Sequence, residues 1–202
     1  MKKLNVVLTF TEEILGTGSS DPAIHETYIS SQAPDAKSRE EEIAAIGVEA
    51  EVEKSKTVFY RDGRGQPCLF DYQIKGFFKD ACGMLARVPG TKSNKLKAYR
   101  KVIDGIVFVE PRMIPFELPA NTPAASVGDC QRPLRAQTAQ GERIALANSE
   151  TAPAGTVLRF TVSLLDEGTE KLVLEWLDYG KWRGLGQWRN SGKGRFTFEL
   201  VA

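Results

Sequence analysis

Apolar and polar positions alternate in two stretches of the chain. In residues 4–10 the even positions are all apolar, whereas the odd positions include Asn5 and Thr9. Residues 158–164 repeat the alternation, again with apolar even positions. Because successive side chains of a strand point to opposite faces of a sheet, each stretch predicts a half-buried strand. We expect the first of them to lie in the central sheet.

Other stretches carry the three- and four-residue apolar spacing of an amphipathic helix. One covers residues 72–88, where apolar side chains recur from Phe77 to Val88 before a Pro-Gly pair. Another includes Trp176 and ends at Gly180. Two helix-start signals, an Asp-Pro pair and a capping box, fall in residues 21–54 and predict an inserted helical subdomain there.

Shorter signals predict the remaining strands. They are a hairpin over residues 57–70 with a glycine turn, a buried strand at 106–109, an edge strand at 113–118, two strands that turn at Gly141, and a last strand with Phe196, Phe198 and Leu200 inward. The order of elements predicts an α+β fold with a ferredoxin-like (RRM-type) βαββαβ core, an antiparallel sheet and extra β-hairpins. We expect one domain, residues 1–202, with a helical insertion at about 21–54 and a loop insertion at about 110–130.

Composition places the chain among ordinary globular proteins. It has 202 residues, of which 42% are hydrophobic and 26% charged. No apolar run approaches the ~20 residues of a membrane span, and the opening Met-Lys-Lys leads directly into a strand pattern. We therefore expect a cytoplasmic protein without a membrane partner. Three widely spaced cysteines predict reduced, half-buried thiols and neither a disulfide nor a zinc site.

The net charge of +1 hides a strong segregation of charge. Residues 40–53 hold six glutamates and no cation, which indicates either a solvated face or a surface for a partner. Residues 180–195 hold five glycines, five cations, two tryptophans and no carboxylate. Glycines let a backbone approach an anion, Arg and Lys neutralise phosphates, and Trp stacks on bases, so this stretch suits a flexible polyanion. A solvated basic hairpin is the alternative.

Two smaller groups of cations accompany this stretch. Lys75 and Lys79 lie one turn apart near the start of the predicted helix, where they either help to hold a phosphate or form its solvated side. Residues 91–101 form a second cationic patch with five cations and no acid before Asp104. We expect a loop and a short helix there.

Three sequence blocks in this order resemble the RAMP superfamily, which includes the backbone subunits of CRISPR effector complexes. Residues 65–76 resemble the family's segment before its first core helix, with identity at Lys75 and Gly76. Residues 132–156 are similar to its arginine-bearing strand, its hairpin and its Pro-x-Gly-Thr entry to a strand. Residues 184–196 resemble the glycine-rich loop before its last strand. Together the blocks span roughly two thirds of the chain.

This resemblance implies a modified RNA-recognition fold that binds single-stranded RNA through its phosphates, often as a subunit of a helical filament. Two features depart from the family. The loop that carries the aspartate of catalytic members is replaced by the helical insertion, and residues 71–73 replace its Gly-Ser-Ser. The residues that we expect to contact nucleic acid are Lys75, Gly76, Lys79, Arg132, Arg135, Trp182, Arg183, Trp188, Arg189, Lys193 and Arg195. The tryptophans either stack on bases or seat the loop on the core.

Other chemistry finds little support in the sequence. His25 is the only histidine and has no partner at ligand or catalytic spacing. There is no phosphate-binding P-loop and no dinucleotide fingerprint, and we expect neither a cofactor nor a metal. Asp21, Asp35 and Asp62 are the carboxylates that remain for a metal-dependent nuclease.

Three hypotheses follow in order of preference. The first is a non-catalytic protein that binds single-stranded RNA or DNA, as a homo-oligomer or as a subunit of a ribonucleoprotein complex. The second is a phage-encoded interaction module that mimics or inhibits a host nucleoprotein complex through residues 40–53. The third is a metal-dependent endoribonuclease that uses Asp21 or Asp35.

Overall fold

The computed structural model describes residues 1–20, 56–120, 122, 127–138 and 141–201. For residues 134–138 and 141–146 it describes the main chain. The predicted helical subdomain at 21–54, with Asp21 and Asp35, lies outside the described residues, and so does the acidic stretch 40–53.

A four-stranded antiparallel sheet forms the centre of the fold. Its strands are β1 (Lys2–Phe10), β7 (Val107–Glu110), β11 (Val157–Leu164) and β12 (Phe196–Val201), in the spatial order β12-β1-β11-β7. In chain order β1, β7, β11 and β12 are the first, second, third and fourth strands of the core, so the order across the sheet is 4-1-3-2. This order is that of a ferredoxin-like βαββαβ core, which confirms the predicted fold class.

Among the described residues, three α-helices accompany this sheet. They are α1 (Asp71–Leu85), α2 (Tyr99–Ile106) and α3 (Glu170–Arg183). The even positions from Leu4 to Phe10 in β1 and from Leu158 to Leu164 in β11 are buried beneath α1 and α3, as the alternation predicts. Aromatic side chains fill the interface, with the rings of Phe78 and Trp176 5.7 Å apart and those of Phe77 and Phe196 5.2 Å apart. Burial of these large apolar surfaces is the main force that holds the helices on the sheet.

The remaining strands form two smaller sheets beside this core. One contains β2 (Ile14–Leu15), β3 (Gly18–Ser19), β4 (Thr57–Val58), β9 (Gly128–Thr138) and β10 (Gly141–Ala152), and the other contains β5 (Tyr60–Arg61), β6 (Pro67–Phe70) and β8 (Met113–Pro115). The pairs β5–β6 and β9–β10 are the predicted extra hairpins. Strand β8 lies at the edge of its sheet, as the proline within it predicts.

Several local predictions need correction. Helix α1 ends at Leu85, so Val88 lies beyond it and is 48% exposed. The predicted buried strand at 106–109 is a half-buried edge strand, because Phe108 points away from the core. Leu200 is exposed since β12 is also an edge strand.

Two of the three cysteines are more deeply buried than predicted. Cys68 and Cys82 are fully buried free thiols, and Cys130 is half-buried. Burial raises the pKa of both Cys68 and Cys82, which keeps them protonated and unreactive at neutral pH.

Gly180 lies inside α3 and does not end it. The helix continues to Arg183, and Gly180 is where it crosses Phe196 of β12. A Cβ at Gly180 would lie 2.1 Å from Cζ of Phe196, whose ring is completely buried. The glycine is therefore required by packing, and the loop after the helix begins at Gly184.

This contact makes a prediction about stability. Gly180→Ala should lower the free energy of unfolding by about 1–3 kcal/mol, because the methyl group overpacks a ring that cannot move into solvent. Gly105→Ala in α2 is the matched control, since nothing lies within 4 Å of its Cβ position. It should be neutral or stabilising by up to about 1 kcal/mol. Urea denaturation of both variants measures this difference, and equal stabilities would contradict the packing role of Gly180.

Candidate nucleic-acid interface

The glycine loop, residues 184–195, connects α3 to β12 and closes tightly on itself. The Leu185 N–H donates to the Gly194 carbonyl at 2.9 Å, and the Leu185 side chain is buried. A Cβ on Gly194 would lie 1.9 Å from the Leu185 carbonyl oxygen, and one on Gly186 would lie 2.7 Å from the Leu15 carbonyl oxygen. At these positions glycine permits the close approach of the protein's own backbone.

A groove runs between the glycine loop and α1, and we call it the α1–loop groove. It encloses about 250 Å³. Its lining includes Thr17, Gln73, Gly76, Asp80, Gly186 and Arg189. Gln73, Gly76 and Asp80 follow one another at helical spacing, so one face of α1 forms this wall.

Gly76 gives this wall a bare stretch of helix backbone. It is exposed, and apart from the adjacent backbone of its own helix no atom lies within 4 Å of the position that a Cβ would occupy. A glycine inside a helix is less favourable than alanine by about 1 kcal/mol. The described structure shows no packing reason for this glycine, in contrast to Gly180.

Asp80 ties α1 to α3 and to the glycine loop. Its Oδ2 accepts hydrogen bonds from Nε of Arg183 at 2.8 Å and from Nη1 of Arg189 at 2.7 Å. Burial by itself raises the pKa of Asp80, but the hydrogen bonds and charges of the two arginines outweigh it, and the pKa is lowered. The hydrogen bond from Arg183 to Asp80 raises the pKa of Arg183 in turn. Two predicted phosphate ligands are thus brought together by a carboxylate.

Arg132 is the most deeply buried of the predicted contact residues whose side chains are described. It is 7% exposed and lies on β9. Its Nη1 donates to Ser149 Oγ at 3.2 Å, its Nη2 donates to Gln187 Oε1 at 2.8 Å, and its Nε is buried without a hydrogen-bond partner. Both partners are neutral, and no carboxylate of the described residues forms an ion pair with this guanidinium.

The tip of the glycine loop covers Arg132. Trp188 has a left-handed backbone conformation, with φ of 52°, and its ring lies 5.3 Å from the guanidinium carbon of Arg132. The ring is 41% exposed. Gln187 and Trp188, the loop residues that contact Arg132, lie between the groove residues Gly186 and Arg189. Arg132 therefore lies immediately behind the rim of the groove.

The other predicted contact residues lie apart from this groove. Lys79 forms an ion pair with Asp104 of α2 at 2.6 Å, and Lys75 donates to the Asp104 carbonyl at 3.3 Å. The hydrogen bond from Lys79 lowers the pKa of Asp104. Lys193 pairs with Glu13, and this hydrogen bond raises the pKa of Lys193.

Three more predicted contacts remain. Trp182 is 64% exposed on α3, and Lys181 lies over its ring. Arg195 is half-buried, with an Nε that has no hydrogen-bond partner among the described residues. Arg135 belongs to β9, and its side chain lies outside the described part of the structure.

Sequence reasoning missed Asp80, Gln187 and Ser149. Asp80 is one helical turn after Gly76, so its position on the same face could be read from the spacing. Nothing local connects Gln187 or Ser149 with Arg132.

The open face of the central sheet offers little for base stacking. Strand register places Asn5, Val7, Arg159 and Thr161 at its middle. Among the described residues of the four strands, Phe108 is the aromatic side chain on this face, and it lies on the edge strand β7. RNA-recognition sheets stack bases on central aromatic residues, so this face does not suit that mode.

Among the described residues, carboxylates and metal ligands form no second site. Asp62 Oδ1 accepts from the N–H groups of Arg64 and Gln66, and it thereby shapes the β5–β6 turn. No group of three or more histidine, cysteine or acidic residues in the described chain is placed to hold a metal ion. Of the helices described, none has the length and apolar character needed to cross a membrane.

Comparison with known proteins found no matching family model and no matching curated protein. Among the solved structures that match, two do so along the whole chain at 15% identity. One is a chain of the type III-B Cmr-β complex bound to cognate target RNA, with a TM-score of 0.48, and this chain covers 60% of it. The other is a chain of a type IV-B CRISPR complex, with a TM-score of 0.47 and 91% of its length covered. The assignment of the fold rests on the strand order of the molecule itself.

The linkage of Asp80 to two arginines predicts a pH-dependent contribution to stability. The folded-state pKa is lowered, so ionised Asp80 stabilises the fold above its ordinary pKa, and the effect is lost as pH falls through the folded-state value. Asp80→Asn should lower the free energy of unfolding by about 2 kcal/mol near pH 7, because charge-assisted hydrogen bonds are lost. The difference from wild type should narrow below about pH 4.

Asp178→Asn is the control for this prediction, since Asp178 forms an exposed pair with Lys181 on one face of α3. It should change the stability by less than about 0.5 kcal/mol. Denaturation at several pH values measures both variants. If the difference in the free energy of unfolding between Asp80→Asn and wild type stays constant from about pH 7 to below about pH 4, the carboxylate charge does not hold the groove together.

Proposed function

We propose that the protein binds single-stranded nucleic acid, and RNA in preference to DNA, along the α1–loop groove. On this proposal it does so without catalysis, as a subunit of a CRISPR-like ribonucleoprotein complex or as an oligomer along the strand. The preference for RNA and the complex rest on the sequence resemblance, which is identical at Lys75 and Gly76. The position of the site rests on Arg132, Gly76 and Arg189.

The observation that carries the proposal is a buried arginine whose described partners are all neutral. Buried charges are normally paired, because removal of a charge from water is unfavourable. Arg132 donates to two neutral oxygens and keeps an unpaired Nε. A phosphate oxygen that replaces Gln187 on Nη2 would supply the missing negative charge and form a charge-assisted hydrogen bond.

Gly76 lets a strand come close to α1 at the same groove. An open glycine in the middle of a helix allows a sugar-phosphate backbone to lie against the helix backbone without a Cβ between them. Arg189 is on the opposite wall, 30% exposed, and Asp80 keeps it in place. A strand in the groove would therefore have Gly76 beneath it and Arg189 beside it.

Trp188 has a structural and a binding role in this arrangement. One face of the indole contacts the guanidinium of Arg132 in a cation–π interaction. This contact orders the arginine side chain. The ring remains 41% exposed, and that surface is available for stacking against a base.

Arg132 provides the first test. Arg132→Gln should weaken binding of a labelled, unstructured RNA of about 30 nucleotides by about 10- to 100-fold, because a charged hydrogen bond contributes about 1.5–3 kcal/mol. Arg132→Lys should weaken binding less than Arg132→Gln, since lysine keeps the positive charge although it lacks the planar, bidentate guanidinium group. Fluorescence anisotropy at two salt concentrations, with a DNA of the same sequence alongside, measures these affinities.

Arg159→Gln is the matched control for charge. Arg159 is an exposed arginine that pairs with Glu117 on the open face of the central sheet. Its loss should change the affinity by less than about threefold. Equal weakening by both substitutions would mean that bulk charge and not the groove governs binding. Absence of wild-type binding to any oligonucleotide at low salt would refute the proposal.

Gly76 provides a test in which stability and binding change in opposite directions. Gly76→Leu should raise the free energy of unfolding by up to about 1 kcal/mol, because leucine favours a helix and the site is open. The same side chain should block the groove and weaken RNA binding by about tenfold or more. Gly76→Ala, with one methyl group, should weaken it less. An unchanged RNA affinity of Gly76→Leu would show that the strand binds elsewhere on the protein.

A further inference from the structure

The chain carries a second cationic surface, which has more unpaired charge than the α1–loop groove. Residues 87–101, which we call the cationic segment, run from the end of α1 into α2. They contain six cations, Arg87, Lys92, Lys95, Lys97, Arg100 and Lys101. No acidic residue occurs between Asp80 and Asp104 in the sequence. All six side chains are exposed.

None of these six side chains forms an ion pair with a carboxylate of the described residues. Arg100 lies over the ring of Tyr99, and Nζ of Lys92 approaches the Lys171 carbonyl at 3.5 Å. The cations at the end of α3 and in the glycine loop are different, because Arg183 and Arg189 share Asp80 and Lys193 pairs with Glu13. The positive potential is therefore less compensated over the cationic segment.

The segment is firmly held on the core, although its cations point to solvent. Glu175 of α3 accepts hydrogen bonds from the N–H of Lys92 at 2.7 Å and from the N–H and Oγ of Ser93 at 3.0 and 2.6 Å. Trp176 Nε1 donates to the same Ser93 Oγ, and Ser93 is completely buried.

These contacts also fix the charge of Glu175. Burial alone raises the pKa of Glu175, but the hydrogen bonds from Ser93 and Lys92 outweigh it and lower the pKa. At neutral pH the side chain is an ionised acceptor that orders a loop rich in cations.

Two depressions lie along this segment, and the first of them borders the α1–loop groove. One, of about 480 Å³, lies between α1 and α2 and is lined by Asp80, Arg87, Tyr99 and Arg100 among others. The other, of about 380 Å³, is lined by Lys92, Lys95 and Lys171, with Leu96 and Leu172 as its apolar part. Asp80 lines both the first depression and the α1–loop groove. The three sites follow α1 from its start to beyond its end, a helix of about 22 Å.

We infer that the cationic segment is a second binding surface for the phosphates of the same strand, reached as the strand leaves the α1–loop groove past Arg87 and Arg100. This inference rests on the proposed function, because the groove supplies the strand. A sequence-independent phosphate surface needs ordered, uncompensated cations along a path, and the segment has these properties.

The test uses the full chain and a labelled oligouridine of about 30 nucleotides. The variant Lys92→Gln/Lys95→Gln/Lys97→Gln removes three exposed cations from the segment. Its matched control is Lys3→Gln/Arg64→Gln/Arg159→Gln, which removes the same charge from exposed residues elsewhere. The segment variant should lower the magnitude of the slope of log affinity against log salt by about 2, because each of the three lost phosphate contacts contributes about 0.7 to that slope. The control should leave the slope close to that of wild type. Thermal unfolding should change little in either variant, since the three lysines of the segment form no ion pair with the described residues and the exposed Arg159–Glu117 pair contributes little to stability.

The outcomes separate this inference from the proposed function. A reduced slope in the segment variant and not in the control supports the second surface. If the salt slope of the segment variant is unchanged and Arg132→Gln binds RNA more weakly, the segment is excluded as a binding surface and the groove is retained. If the salt slope of the segment variant is reduced and Arg132→Gln binds RNA with full affinity, the groove is excluded as the binding site and the segment is retained. If the segment variant loses salt-dependent self-association in sedimentation while its RNA binding is intact, the surface serves another protein and the inference is wrong.

Discussion

Close contact between two backbone segments determines where the candidate site lies. Gly184 and Gly194 let the two ends of the glycine loop pack against each other, and Gly186 lets the loop lie against Leu15. Any side chain at these positions would separate the segments by more than the distances observed. Because the loop is fixed in this way, its tip holds Trp188 and Gln187 on Arg132 and directs Arg189 towards α1.

Charge is arranged unevenly around this fixed loop. Arg189 and Lys193 of the loop form ion pairs with carboxylates, so they contribute less to a long-range field than their number suggests. A loop rich in cations is thus not by itself an exposed cationic surface. Asp80 instead makes the guanidinium groups rigid, and rigid donors lose less conformational entropy when a ligand arrives.

Local pattern predicted most of the fold, because strand faces and helix stripes are set by neighbouring residues. The alternation in β1 and β11, the apolar stripe of α1 and the order of the core elements are all found in the structure. Pattern failed where distant contacts decide, as at Gly180, which reads as a helix end and instead packs on Phe196. The pairing of cations is also non-local, since Asp80 and Arg183 are 103 residues apart and Arg132 and Gln187 are 55 apart. The sequence therefore indicates which residues are cationic but not which are neutralised.

The two surfaces along α1 differ in the physics of anion binding. Arg132 is buried, so water and salt screen its interaction with a phosphate weakly, and its fixed fork selects the position of that phosphate. The exposed lysines of the cationic segment would act through counterion release, which is strong at low salt and insensitive to position. A strand held by both would keep its register through the groove and gain most of its salt-dependent affinity from the segment. Position and affinity would then come from different parts of the path that the strand follows, which is the arrangement expected of a protein that binds a strand without reading its sequence.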